Sequence, residues 1–271
     1  MIEVLVAGPL TSVQDAFGRP GWRQIGVPVG GAADAWSARL ANRLAGNDEN
    51  DALLEITLGG LQLRFEMAAT AVLVGGMNGS VDSLPVAANA AFSARAGSVI
   101  RVDPGAGARS YLAVAGGIMV EPILGSRSTD LRSGFGGHDG RALRSGDRLE
   151  IGASAGGRQR WTGTRHEGSI RIVPGPHAPR ISLDGEWTVG TEADRTGVRL
   201  DGRRLEALAE VPSMGLPLGA VQVPPDGRPI VMLADRPVTG GYAVPACVIR
   251  ADIGRVAQLR SGDRVTFASV S

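Results

Sequence analysis

Leu143-Arg144-Ser145-Gly146-Asp147-Arg148 returns letter for letter as Leu259-Arg260-Ser261-Gly262-Asp263-Arg264, 116 residues later in a chain of 271. Ser-Gly-Asp is turn chemistry: glycine accepts positive φ, and the Asp carboxylate bonds nearby backbone. Each copy runs into an alternating apolar pair, Leu149/Ile151 and Val265/Phe267, which reads as a strand. Upstream, Gly97-Ser98-Val99 and Pro104-Gly105 parallel Gly219-Ala220-Val221 and Pro225-Asp226-Gly227 at offsets of 121–122. Gly116-Gly117 parallels Gly240-Gly241 at an offset of 124. Four echoes in one order, with a drifting offset, read as a duplicated domain with small insertions. The period is too long for a solenoid repeat.

Further alternating pairs mark strands at Ile2/Val4/Val6, Ile170/Ile172, Val198/Leu200 and Val221/Val223. The unbroken runs Val72–Val74 and Ile230–Leu233 suit strands buried on both faces. One helix is clear: Asp34 caps it, Trp36, Leu40 and Leu44 share a face, and Gly46-Asn47 stops it. A second, short helix is expected over Ile253–Leu259. Residues 152–168, rich in Gly, Ser, Thr and Arg, separate the copies. The expected organisation is domain 1–155, linker 156–168 and domain 169–271.

Composition removes whole classes of chemistry. Hydrophobic residues are 43% and charged residues 20%, as in folded proteins, and a formal charge of +1 argues against bulk nucleic-acid binding. All 28 basic residues are arginine. That excludes a Schiff-base lysine, a Walker A lysine and a biotin-carrying lysine on this chain. What arginine offers is bidentate binding of carboxylate or phosphate. The single cysteine, Cys247, lies in an apolar run and reads as a small buried hydrophobe, which fits a reducing compartment. No secretory leader or membrane span is recognisable, so a cytoplasmic location is expected. Three scattered histidines and one cysteine leave no metal site to expect.

Five polar clusters sit in Gly/Pro-rich turns, where functional groups are usually displayed. They are Thr11–Asp15 with Gly18-Arg19-Pro20-Gly21, Leu124–Thr129, Asp194–Gly197, Pro224–Gly227, and Asp235-Arg236 leading to Thr239–Tyr242. Together they offer arginine forks for an anion and carboxylates that orient an N–H or take a proton. The candidate catalytic groups are Asp15, Asp194 and Asp235. The candidate substrate-binding groups are Gln14, Arg19, Arg127, Ser128, Arg195, Asp226, Arg236, Thr239 and Tyr242. The competing reading makes each Asp–Arg pair a structural tie between loops.

These clusters, with Gly26–Gly31, Leu54-Glu55, Leu58–Gly60, Leu112–Ile118 and Val221–Gly227, resemble the family of 5-oxoprolinase C-type subunits along nearly the whole chain. The same family carries the names allophanate hydrolase subunit 2, biotin-dependent carboxyltransferase-like and kinase-inhibitor antagonist. The resemblance implies a mainly β fold of two tandem cyclophilin-like β-barrel domains with few short helices. It implies a homologous B-type subunit and an A-type subunit as partners, and ATP, with magnesium, used by the complex. It implies ATP-dependent opening of 5-oxo-L-proline to L-glutamate, that is, an amidohydrolase. Two alternatives follow from the same family: carboxyl transfer from carboxybiotin to urea or a similar amide, and non-catalytic binding of a partner like the B-type subunit. The chain departs from the family pattern at Ala193-Asp194-Arg195, where a serine is usual before the Asp. It departs again at Pro212–Gly215, where Ser-Glu-Gly is frequent.

Overall fold

Both copies of the hexapeptide fold into the same turn. Gly146 and Gly262 stand at φ +92° and +91°. The Asp147 carboxylate accepts the Arg144 N–H at 2.7 Å, and the Asp263 carboxylate accepts the Arg260 N–H at 2.7 Å. Each turn then grips a strand: Gly146 N–H donates to Val4 C=O and Val4 N–H to Asp147 C=O, as Gly262 and Asp263 do with Val189, all at 2.8 Å. The duplicated letters thus encode a duplicated contact.

The structure is a computed structural model that describes residues 1–154, 164–206, 208 and 211–270. Packing divides it into two units. Unit 1 takes Met1–Pro20 and the described residues from Gly30 to 154. Unit 2 takes Gly21–Val29 and the described residues from Thr164 onward. Residues 156–163 of the expected linker lie outside the described residues, and 164–168 belong to unit 2. The placement of Gly21–Val29 in unit 2 was not anticipated, because contiguous sequence gives no sign of an excursion of nine residues.

In unit 1 the strands are β1 (Ile2–Ala7), β2 (Leu10–Gln14), β3 (Leu53–Thr57), β4 (Leu61–Phe65), β5 (Ala69–Gly75), β6 (Asn78–Val81), β7 (Leu84–Pro85), β8 (Ala91–Ala94), β9 (Val99–Asp103), β10 (Arg109–Val114), β11 (Ile118–Met119) and β12 (Arg148–Ile151). They form one sheet in the order β11-β12-β1-β4-β9-β6-β7 and another in the order β2-β3-β10-β5-β8. The ribbon β1–β2 against β3–β4 passes from the first sheet to the second at Gly8, where an added Cβ would lie 2.4 Å from the Gly59 carbonyl. Ile2, Val4, Leu54, Ile56, Leu63, Phe65, Leu73 and Leu112 fill the core of this unit. Helix α1 (Ala35–Ala45) lays Ala38, Leu40 and Ala41 against Leu53, Val72, Val74 and Tyr111. Its caps are those expected: Asp34 accepts the Ser37 N–H, and Gly46 ends it at φ +82°.

Unit 2 holds β13 (Ile170–Pro174), β14 (Glu186–Ala193), β15 (Gly197–Asp201), β16 (Met214–Gly215), β17 (Ala220–Val223), β18 (Ile230–Met232), β19 (Thr239–Gly240), β20 (Ala243–Val248) and β21 (Arg264–Ser269). Seven of these close a barrel in the order β13-β20-β17-β18-β15-β14-β21, while β16 and β19 pair as a separate flap. The short helix α2 (Ile253–Ala257) lies within the expected span. The chain is therefore mainly β, with a closed barrel and few short helices. Among the described residues no helix is long and apolar enough to cross a membrane.

Candidate functional site

The first polar cluster gathers around Asp15 at the end of β2. Its carboxylate is 1% exposed and accepts four hydrogen bonds. Gly18 N–H and Ser128 Oγ reach Oδ1 at 2.7 Å each, while Ser126 Oγ and Arg127 N–H reach Oδ2 at 2.7 and 2.8 Å. The Asp15 N–H in turn donates to Ser128 Oγ at 3.0 Å. Thr129 closes the same seam through Val13 C=O. Gln14 is buried, and its amide N–H₂ donates to Ser12 Oγ and the Thr129 carbonyl. Arg19 is also buried, donates to the Ser128 carbonyl and stacks on Phe135 at 4.7 Å. Arg127 reaches the Val120 carbonyl at 3.0 Å. Folding thus brings Gln14, Asp15, Arg19, Arg127 and Ser128 together from two stretches more than a hundred residues apart. Chemically, the Asp15 oxygens are engaged in holding the 126–129 loop against β2.

The remaining candidates lie in unit 2. Arg195, 3% exposed, forks onto Asp235 with Nε–Oδ2 and Nη2–Oδ1 both 2.8 Å. This buried fork sets the dipeptides Asp194-Arg195 and Asp235-Arg236 side by side, reinforced by Asp235 N–H to Arg195 C=O at 2.9 Å. Asp194 is exposed and accepts the Thr196 and Gly197 N–H groups in the turn into β15. It lines an open cleft of about 410 Å³ with Glu192, Thr196 and Arg199. Asp226 is the acceptor for Arg199 Nη1 at 2.9 Å and for the Arg228 N–H. Thr239 and Tyr242 are exposed on and beside the flap.

Arg236 differs from the other arginines in the set. It is 8% exposed, yet it meets no carboxylate within ion-pair distance among the described residues. Nε and Nη1 donate to the carbonyls of Leu216 and Leu233 at 3.0 and 3.3 Å. Burial, then the nearby positive charge of Arg23, push its guanidinium down to about 10, so it is charged at neutral pH. Arg23 donates to the same Leu216 carbonyl at 2.8 Å and to Val238 C=O at 2.9 Å. Cys247 is half-buried, and burial pushes its thiol up, partly offset by Arg236. Two guanidinium groups converging on a neutral carbonyl suit an anion. Arg23 was not among the sequence candidates. Its one signal was its place just beyond Gly18-Arg19-Pro20-Gly21.

A family described as carboxyltransferase domain, subdomain A and B, matches residues 25–269. The chain is 42% identical to the C-type subunit of 5-oxoprolinase from Escherichia coli K12, across all of its own length and 92% of that relative. It is 35% identical to the corresponding 5-oxoprolinase subunit of Haemophilus influenzae over the same shares. It is 31% identical to urea amidolyase of Lachancea kluyveri, of which it covers 17%. Among solved structures, TTHA0988 superposes at a TM-score of 0.89 with 37% identity, over 99% of this chain and 55% of that one. The Kluyveromyces lactis urea carboxylase superposes at 0.90 with 31% identity, over the whole of this chain and 27% of that one. The chain thus spans about half of the first of these crystal chains and about a quarter of the second.

Proposed function

Because this chain belongs to the family of carboxyltransferase domains with subdomains A and B, we propose that it is the C-type subunit of a complex that opens 5-oxo-L-proline to L-glutamate with ATP. What carries this reading is the agreement with the two 5-oxoprolinase relatives along the whole chain. A lactam is resonance-stabilised, so water attacks it slowly. The complex must activate the ring carbonyl, stabilise the anion that forms and exclude competing reactions.

ATP does not fit this chain's described features. There is no lysine in the sequence, and the N terminus of α1 is occupied by the Asp34 carboxylate, which would repel a phosphate. We therefore assign the nucleotide and its magnesium to a partner in the complex and no nucleotide step to these residues. The part we assign here is holding the lactam. Arg236, charged and with no carboxylate partner among the described residues, would take the substrate anion, with Thr239 and Tyr242 as exposed flanking contacts. Asp194, next to the buried Arg195–Asp235 fork, would meet the lactam N–H. Asp15, Gln14, Arg19, Arg127 and Ser128 would shape the loop of unit 1, and Asp226 would brace the middle of β15 through Arg199.

The test is reconstitution with A-type and B-type partners, following glutamate release from 5-oxo-L-proline. ATP-dependent release supports the proposal; none, with every component folded, rejects it. The similarity to urea amidolyase and urea carboxylase favours one second reading, carboxyl transfer. Since the chain has no lysine to carry biotin, that reading needs a separate biotinylated protein, and activity dependent on biotin and bicarbonate would select it.

A further inference from the structure

Three polar groups of unit 2 lie around Leu216. Arg236 is buried, and its only carboxylate neighbour in sequence, Asp235, is already held by both arms of Arg195. Arg23 arrives from the excursion Gly21–Val29 and shares the Leu216 carbonyl with it. Like charges that share one acceptor repel, and a main-chain carbonyl returns only part of the lost hydration of a guanidinium. The third group is Gln222 on β17. It is 3% exposed, and its Nε2 has no hydrogen-bond partner among the described residues.

Against β18 the register is regular, with Val221 opposite Val231 and Gln222 opposite Ile230, so alternation puts Gln222 on the Ala220 face of β17. Ala220 pairs with Cys247, and the register against β20 shifts only beyond Val221. Leu216, Met232 and Val244 pack on Ala220 at that face. The flap closes over it: an added Cβ on Gly240 would lie 2.6 Å from Gln222 Nε2 and 2.8 Å from the Leu216 side chain. Leu216 is thus the common neighbour of all three groups. Its side chain lies beside the amide and its carbonyl takes both arginines.

We propose that Arg236, Arg23 and Gln222 form a binding site for a small carboxylate at the β16–β19 flap. A carboxylate is planar and presents two oxygens to guanidinium forks, and its remaining lone pairs suit a neutral amide donor. The proposal rests on the lactam-opening reading, whose substrate bears one carboxylate, and it adds the residues that hold that group.

The experiment is calorimetric titration of the full chain with 5-oxo-L-proline, with 2-pyrrolidinone, the same ring without the carboxylate, and with inorganic phosphate. Loss of one charge-assisted contact corresponds to about tenfold or more in affinity. We expect 5-oxo-L-proline to bind at least about tenfold more tightly than either of the other two. Arg23→Gln and Gln222→Leu should each remove most of that advantage, and Arg23→Lys should restore part of it. In the reconstituted complex Arg23→Gln should raise KM for 5-oxo-L-proline more than it lowers kcat. Equal binding of the two lactams, tighter binding of phosphate, or no binding of 5-oxo-L-proline to chain or complex overturns the proposal. If the substituted chains do not fold, the wild-type comparison of the three ligands decides. Glutamate release with an unchanged KM in a folded Arg23→Gln complex removes the site but keeps the chain's place in the lactam-opening complex. Carboxylate binding through Arg23 without any glutamate release does the reverse.

Discussion

Asp15 shows how a residue chosen for chemistry can be bound to architecture. Two serine hydroxyls and two backbone N–H groups end on its buried carboxylate. Removing it takes the acceptor from all four donors; the hydroxyls keep the N–H groups of Asp15 and Ser128 that they accept, while each orphaned N–H costs about 1–3 kcal/mol. Asp15→Ala should therefore lower unfolding stability by about 3 kcal/mol or more, read by urea denaturation. A variant with native stability and lost turnover would return Asp15 to catalysis. Asp147 makes a pH prediction. Hydrogen bonds from Arg141, helped by the Arg144 N–H, hold its carboxyl at about 2, below its usual value of 3.8. The stabilisation is complete above about pH 4 and is lost as the pH falls through about 2. Asp147→Asn should cost ~1–2 kcal/mol at pH 7, and the gap to wild type should close in acid denaturation between those limits. At this scale the sequence made Arg236 and the Asp–Arg pairs visible as types. It could not show that Asp235 is consumed by Arg195, or that Arg23 converges on Leu216, because those are facts of long-range folding.

At the scale of elements, local grammar was legible wherever one stretch of chain decides its own shape. Helix α1 follows from its apolar spacing, the Asp34 cap and Gly46. The duplicated turns follow from Ser-Gly-Asp. What local grammar does not supply is strand partnership: the glycine corner of unit 1 and the flap β16–β19 depend on contacts between distant stretches. The two kinds of glycine differ in consequence. At Gly146 and Gly262 the space for a Cβ is open, so only the left-handed backbone is penalised. Gly146→Ala and Gly262→Ala should each cost about 1–2 kcal/mol, and equally, by thermal denaturation. At Gly8 the new methyl also strikes the Gly59 carbonyl, so Gly8→Ala should cost clearly more than either.

For the whole molecule, the recurring turn was readable and the partition into units was not. The hexapeptide marks one turn in each unit, but no periodicity reveals that Gly21–Val29 packs with the other unit. That membership makes a prediction. A protease site engineered into residues 156–163 and cut after folding should leave two polypeptides that still co-elute on gel filtration, because the first carries a segment of unit 2. Separation without denaturant would show that the segment contributes little. Heredity feels the same arrangement. A recombinant that spliced the front of one homologue to the back of another would supply its barrel with a stranger's Trp22-Arg23-Gln24, so such crosses should fail unless that short peptide is exchanged as well, and natural selection should tend to transmit the pair of halves as a single inheritance.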